Sequence, residues 1–425
     1  MVHSGNVRPP LPTMLTLIDR LFRVLVFSAL LSWPGVSRAD EASQDLFHKT
    51  MQAWEQGEMS CAESLAQRAA SAPDRPAWAF RILGFSTFMR GHPDQTIELL
   101  NRIPEGEIST PAERFDTEVA RFASLLRLKQ YASAKACAPA TSARCLADLL
   151  RAYPTEYPTL DGPVSLRFES DEDSLVAPRI GGHVNGNPVR IGIDTGCGFM
   201  TMNVANAVRL GVPLRKEADL GNVGGVVRPI RSGVAEKVMV GSMLVRRLPV
   251  SADPGSDECI FVGVNFLEEF LVTLDPRGSR ILFSKNGPDA FQRYHRDLHF
   301  DRLARIRFYR WGDHEIFLGA KLGDRHVNLC VDTGYEAPHG PAGQLVDVAL
   351  TSAGASRLGL SGPPSRVPLQ LEGLVPRKVL VGVQSLFDSK YCGGIRIDGY
   401  LTYRFLGRFV WTMDFGDQTF ILSSR

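Results

Sequence analysis

Val189-Arg190-Ile191-Gly192-Ile193-Asp194-Thr195-Gly196 is an apolar run of strand character that ends in an acidic turn. Val327-Asn328-Leu329-Cys330-Val331-Asp332-Thr333-Gly334 repeats it 138 residues later. In both stretches apolar residues alternate up to the Asp, as in a half-buried strand. Asp and Gly then supply the turn chemistry that ends it. Either triplet alone would read as an ordinary turn after a strand. A single Asp-Thr-Gly is expected by chance roughly 0.1 times in a chain of this length and ordinary composition. Two, each closing an apolar strand, are not an accident of composition.

Working outward, the rest of the second half also falls on itself. Arg167-Phe168 matches Arg307-Phe308, and the turn at Gly186 matches Gly323. Arg209-Leu210-Gly211-Val212 matches Arg357-Leu358-Gly359-Leu360. Phe266-Leu267 through Asp275 matches Phe405-Leu406 through Asp414, and each half closes with an apolar strand, Ile281 to Phe283 and Phe420 to Leu422. Short Val/Ile/Leu/Phe runs between Gly and Pro turns make this region mainly β. Two lobes are expected, at 164–287 and 300–425.

From about residue 160 onward the sequence resembles an aspartic protease of the pepsin/retropepsin type, in a bacterial form with both Asp-Thr-Gly lobes in one chain. The resemblance implies an all-β, double-lobed barrel fold and an endopeptidase that needs no homodimer to build its site. It implies that Asp194 and Asp332 are the catalytic pair, and that Thr195 and Thr333 hold the two loops together through the opposite backbone. It implies that Gly196 and Gly334 let the chain turn so that both carboxylates face one water. Phe261-Val262-Gly263 resembles the apolar strand that packs behind the first catalytic loop. Gly221-Asn222-Val223-Gly224-Gly225 resembles a glycine-rich flap, with Gly224 and Gly225 at its tip. The chemistry fits the residue types. Hydrolysis without metal or covalent nucleophile needs a base for water and an acid for the leaving amine. Two adjacent carboxyls that cannot both ionise supply one of each.

Lobe 2 departs from the pattern. Tyr335 and Glu336 follow its Asp-Thr-Gly, where lobe 1 has the small Cys197. Thr402 falls where lobe 1 has Gly263. About ten extra residues, including Pro338, His339 and Pro341, separate Gly334 from Gly359, and a flap counterpart is placed only loosely, at Ser361 to Ser365. A second reading therefore stands beside the enzyme: a non-catalytic, protease-like module for binding peptides or for assembly. A thiol mechanism at Cys197 is set aside, because no His is placed by any motif to activate it.

The first half is different in texture. Residues 1–39 read as a secretory signal: Arg20 and Arg23, an apolar run from Val24 to Trp33, a break at Pro34-Gly35, and Ser37-Arg38-Ala39 before a cut. Met14 is an alternative start, and an uncleaved inner-membrane anchor the alternative fate. The expected location is exported, periplasmic or secreted. Residues 40–150 show helical periodicity with a 34-residue repeat, Gly57 with Gly91 and Ala62 with Thr96, and a weaker third copy at Lys129, Tyr131 and Ala134. That period and the Leu83-Gly84-Phe85 pattern resemble tetratricopeptide helix pairs, which implies a surface for a protein partner. A plain helical cap is the other reading. Tyr153-Pro154, Tyr157-Pro158 and Gly162-Pro163 mark a linker over 151–163.

Composition limits the rest. The chain has 425 residues, 44% apolar and 22% charged, with a formal net charge of +2. That is globular composition and offers no basic surface for nucleic acid. Seven cysteines are too few for a disulfide scaffold. Cys137 and Cys145 are spaced to bridge two helices, and the odd count leaves at least one thiol over. His314-Glu315 lacks the second His of a zinc-protease helix, and no G-x-S-x-G, P-loop or dinucleotide-binding pattern is present. No metal or organic cofactor is expected. The expected partner is a peptide or protein substrate, with a membrane only if the signal is uncleaved.

Overall fold

The structure is a computed structural model that describes residues 39–104, 106–108, 110–169, 177–216, 218–223, 226–255, 259–287, 291, 302–335, 345–383 and 388–424. Of the expected signal over 1–39, residues 1–38 lie outside the described residues, as do Gly224, Gly225, Glu336, Pro338, His339 and Pro341. Two compact units are resolved, residues 1–49 and residues 50–425. No helix among the described residues is long and apolar enough to cross a membrane.

Among the described residues seven helices come first: α1 (Ala39–Glu55), α2 (Met59–Ala70), α3 (Ala77–Met89), α4 (Pro93–Leu100), α5 (Pro111–Arg127), α6 (Tyr131–Ala136) and α7 (Thr141–Ala152). They begin at Ala39 and run to Ala152, one and two residues beyond the limits read from sequence. Three of the corners between these helices share one backbone geometry. Gly57, Gly91 and Lys129 all sit at positive φ, at +76°, +77° and +58°. Each donates its N–H three residues back, and the next residue donates five back: Gly57 to Trp54 and Glu58 to Ala53, Gly91 to Phe88 and His92 to Thr87, Lys129 to Leu126 and Gln130 to Leu125. Five residues past each turn, Ala62, Thr96 and Ala134 are fully buried. Glycine fits two of these left-handed corners without strain, and lysine is tolerated at the third. The α5 start is fixed differently, by a capping box between Thr110 and Glu113.

The strands of lobe 1 are β1 (Val164–Glu169), β2 (Arg179–Val184), β3 (Asn187–Ile193), β4 (Met200–Asn203), β5 (Asp219–Val223), β6 (Val226–Val240), β7 (Met243–Asp253), β8 (Ile260–Val262), β9 (Phe270–Asp275) and β10 (Arg280–Lys285), with short helices α8 (Val204–Arg209) and α9 (Val264–Leu267). Lobe 2 has β11 (Arg302–Arg307), β12 (Tyr309–Trp311), β13 (Glu315–Leu322), β14 (Arg325–Asp332), β15 (Val348–Leu350), β16 (Ser365–Gln370), β17 (Arg377–Val383), β18 (Lys390–Cys392), β19 (Ile395–Ile397), β20 (Gly399–Thr402), β21 (Val410–Asp414) and β22 (Thr419–Ser424), with α10 (Ser352–Leu358) and α11 (Tyr403–Leu406).

The strands around each Asp-Thr-Gly turn pair alike in the two halves. β3 runs parallel to β8, and β14 parallel to β20. β4 runs parallel to β7, and β15 parallel to β17. Gly211 and Gly359 close α8 and α10 at positive φ. Phe168 donates its N–H to Ser279 O and Phe308 to Gln418 O, both at 3.0 Å. The lobes join in one sheet in the order β1-β10-β9-β21-β22-β11 turned end to end, because β9 pairs antiparallel with β21. Thr273 and Thr412 face each other at that seam with hydroxyls 2.7 Å apart. A buried hydrogen-bonded pair on the pseudo-dyad leaves neither hydroxyl unmatched.

One hydrophobic cluster runs through both lobes. A second begins in the helices at Trp54, Phe85 and Phe88 and continues through Trp311, Phe317, Cys330 and Tyr400 of lobe 2. The helices from residue 50 onward are therefore packed against lobe 2 at these residues. Trp54 Nε1 donates to Gly393 O at 2.7 Å, and Asn328 Nδ2 to Gln56 O at 3.1 Å. The segment read as a linker is strapped to lobe 1. Glu156 and Arg246 exchange backbone hydrogen bonds at 3.0 Å, and Tyr157 Oη donates to Asn265 O at 3.0 Å.

Candidate active site

Asp194 and Asp332 end two neighbouring strands and point to one place because the strands are clamped. Thr195 N–H donates to Thr333 Oγ1 at 3.1 Å, and Thr333 N–H to Thr195 Oγ1 at 3.0 Å. Thr195 Oγ1 donates on to Val331 O at 2.9 Å, and Thr333 Oγ1 to Ile193 O at 2.8 Å. Both threonines are 1% exposed, so these four bonds form away from competing water. The structure thus brings together all six residues singled out in the two triplets.

The glycines are required by crowding. A Cβ on Gly196 would lie 2.4 Å from the Asp332 carboxyl carbon, and one on Gly334 would lie 2.3 Å from that of Asp194. Each turn therefore leaves room for the opposite carboxyl. Gly196 N–H donates to Asp194 Oδ1 at 2.7 Å. Gly334 N–H lies 3.1 Å from both Asp194 Oδ1 and Asp332 Oδ1.

This arrangement is electrically uneven. Burial pushes both carboxyls above the ordinary carboxylate range. Asp332 is pushed much further, because the Asp194 charge adds to its burial. Asp194 is held back by its backbone bond from Gly196, by the nearby His314 cation and by a hydrogen bond from Asp332. A carboxylate that accepts N–H groups is stabilised as the anion. The pair therefore holds its proton more firmly at Asp332 than at Asp194.

Around lobe 2 the site carries charges that no motif announced. His314 Nδ1 and Asp313 Oδ1 are 2.6 Å apart, and Lys390 Nζ lies 2.6 Å from each Glu315 oxygen. Asp313 also reaches lobe 1: a Cβ on Gly198 would lie 2.4 Å from its Oδ2. His314 is raised to about 9 because the charges of Asp313 and Glu315 outweigh its burial. Asp313 is lowered to about 2, chiefly by the His314 cation beside it, against its own burial. The Lys390 ammonium sits 5.1 Å over the Tyr400 ring, and Tyr400 stacks on Tyr335 with centroids 4.8 Å apart. Tyr335, the residue that departed from the pattern, is thus stacked on Tyr400, and burial together with the Asp332 charge raises its phenol. The one sequence signal for this cluster was three charged residues, 313–315, just ahead of an apolar strand. Lys390 and Tyr400 gave none.

Cys197 is no nucleophile. Its thiol donates to Asp194 O and Phe199 O, at 3.6 and 3.4 Å, and burial with the Asp194 charge pushes it well above the usual thiol range. In lobe 1 β5 pairs antiparallel with β6, Val223 opposite Val226. The lobe 2 counterpart placed at Ser361 to Ser365 is not a hairpin. Residues 361–364 carry no strand, and Ser365 opens β16.

Residues 180–269 match a family described as "gag-polyprotein putative aspartyl protease". That segment contains Asp194 and Gly263 and spans most of lobe 1. No curated protein matches the chain. Solved structures that resemble it include a retropepsin-like aspartic protease from Rickettsia conorii, at 16% identity over 31% of this chain and 92% of that one, TM-score 0.23. An aspartic proteinase from Irpex lacteus is 12% identical over 62% of this chain and 97% of its own, TM-score 0.39. Basic 7S globulin from soybean is 10% identical over 62% and 95%, TM-score 0.39.

Proposed function

We propose that the chain is an aspartic endopeptidase whose water is activated by Asp194 and Asp332, one from each lobe. The observation that carries this reading is the reciprocal threonine clamp, which holds two carboxyls of unequal proton affinity against each other. Asp194, ionised, takes a proton from the water as it attacks the peptide carbonyl. Asp332, protonated, hydrogen-bonds the carbonyl oxygen and stabilises the charge that develops there. The substrate is a peptide or protein, and Gly224 and Gly225 form the tip of a flap that closes on it. We read the three helical turns as tetratricopeptide-like, forming a surface for a protein partner, and the N-terminal stretch as an export signal.

The test is cleavage of a denatured protein by the purified full chain from about pH 3 to about pH 7, beside its Asp332→Asn variant. Cleavage that disappears in the variant supports the enzyme. Equal cleavage by both, or none by a folded wild-type chain, overturns it and favours the peptide-binding module.

A further inference from the structure

Two thiols stand in lobe 2 beside the catalytic strand. Cys330 lies on β14, two residues before Asp332, and Cys392 ends β18. Both are buried, at 2% and 0% exposed. The two Sγ atoms and a Glu315 carboxylate oxygen lie within 4.8 Å of one another. Cys330 Sγ donates to Glu315 Oε2 at 3.8 Å. The place a cation would take is already filled, because Lys390 Nζ is 2.6 Å from both Glu315 oxygens. A metal would have to expel that ammonium and so lose a half-buried ion pair.

We propose that Cys330 and Cys392 are a disulfide-forming pair that fastens the strand carrying Asp332 to the β18–β19 hairpin. The hairpin is where the helical region grips lobe 2: Trp54 Nε1 donates to Gly393 O, next to Cys392. The bond would tie three parts together, the catalytic turn, the hairpin and the helical docking surface. The neighbouring Cys330 and burial hold the Cys392 thiol well above the usual thiol range, so the reactive thiolate forms where solvent reaches the pair. With glutathione disulfide as oxidant, one thiolate attacks a glutathione sulfur and expels glutathione as a thiolate. The second thiol then loses its proton and attacks the mixed disulfide. An Sγ–Sγ bond forms, one glutathione disulfide bond is broken, and two glutathione thiols carry away two electrons and two protons. The buried thiols meet the oxidant during folding or when the hairpin opens.

The test does not depend on catalysis. The full chain is refolded with glutathione disulfide, its remaining thiols are alkylated under denaturing conditions, and the digest is mapped by mass. The expected product joins the Cys330 and Cys392 peptides, lighter than their sum by two hydrogens. Reductant is expected to lower the thermal midpoint of the oxidised wild type and to leave Cys392→Ser unchanged. Folded, oxidised chain in which both cysteines carry the alkyl label would overturn the proposal, as would linkage of either to another cysteine. Should Cys392→Ser fail to fold, the wild-type map decides alone.

Discussion

The two lobes answer the same structural problem with different residues at one position. Gly263 and Thr402 both precede the short helix that follows the strand behind each catalytic turn. In lobe 1 a Cβ at Gly263 would lie 2.3 Å from Cys197 O, so only glycine fits. In lobe 2 Thr402 is 2% exposed and its hydroxyl donates to Val346 O at 2.8 Å. Lobe 2 has filled the gap with a hydrogen-bonded side chain, where lobe 1 has filled it with its own catalytic loop. A departure from a family pattern is thus not by itself decay. It shows which neighbour moved in.

The largest effect is expected where the lobes are still identical. Gly196→Ala and Gly334→Ala each drive a methyl into the opposite carboxyl. A displacement of about 1 Å at reacting groups costs on the order of 100-fold. Peptide hydrolysis is expected to fall by at least that factor in both, measured as kcat/KM on one peptide. A large loss in only one would break the symmetry of the site. The exchange at the odd position should be one-sided. Gly263→Thr is expected to destabilise the chain by about 1–3 kcal/mol through overpacking. Thr402→Gly is expected to cost about 1–2 kcal/mol through the lost hydrogen bond and added backbone freedom. Denaturant unfolding of the two variants measures both.

The clamp sharpens the comparison from the other side. Thr195→Val and Thr333→Val each remove a donor and an acceptor across the pseudo-dyad, and each is expected to cost about 1–3 kcal/mol. Because the four bonds are paired, the two losses should agree, and an unfolding curve shows whether they do.

The smallest effect concerns charge, which only lobe 2 supplies. The His314 cation favours ionised Asp194. Removing it in His314→Gln raises the Asp194 carboxyl further, so the acid limb of the pH–rate profile should move to higher pH. Stability should respond as well. His314 titrates near 9 when folded against about 6.5 unfolded, so its contribution is complete below about pH 6.5 and lost as pH rises towards 9. Asp313 is lowered to about 2, so its contribution is complete above about pH 4 and lost as pH falls towards 2. The advantage of wild type over His314→Gln in thermal midpoint is therefore expected to be flat between these limits and to shrink on both sides. An advantage that does not change with pH would remove the ion pair from the account.

The sequence by itself determined the duplicate, the two Asp-Thr-Gly turns and the helix corners at Gly57 and Gly91. These are local: a tight turn, a left-handed corner or an alternating strand leaves its mark in a few consecutive residues. It also aligned Thr402 with Gly263 correctly, but read the threonine as a defect, since the carbonyl that fills lobe 1 belongs to residue 197. Tertiary structure alone decided the rest. Glu315 and Lys390 stand 75 residues apart in the chain and share two short contacts. Trp54 reaches Gly393 across 339 residues. Neither pairing has a period or a motif, because burial of charge and apolar surface is settled by which segments the completed fold presses together.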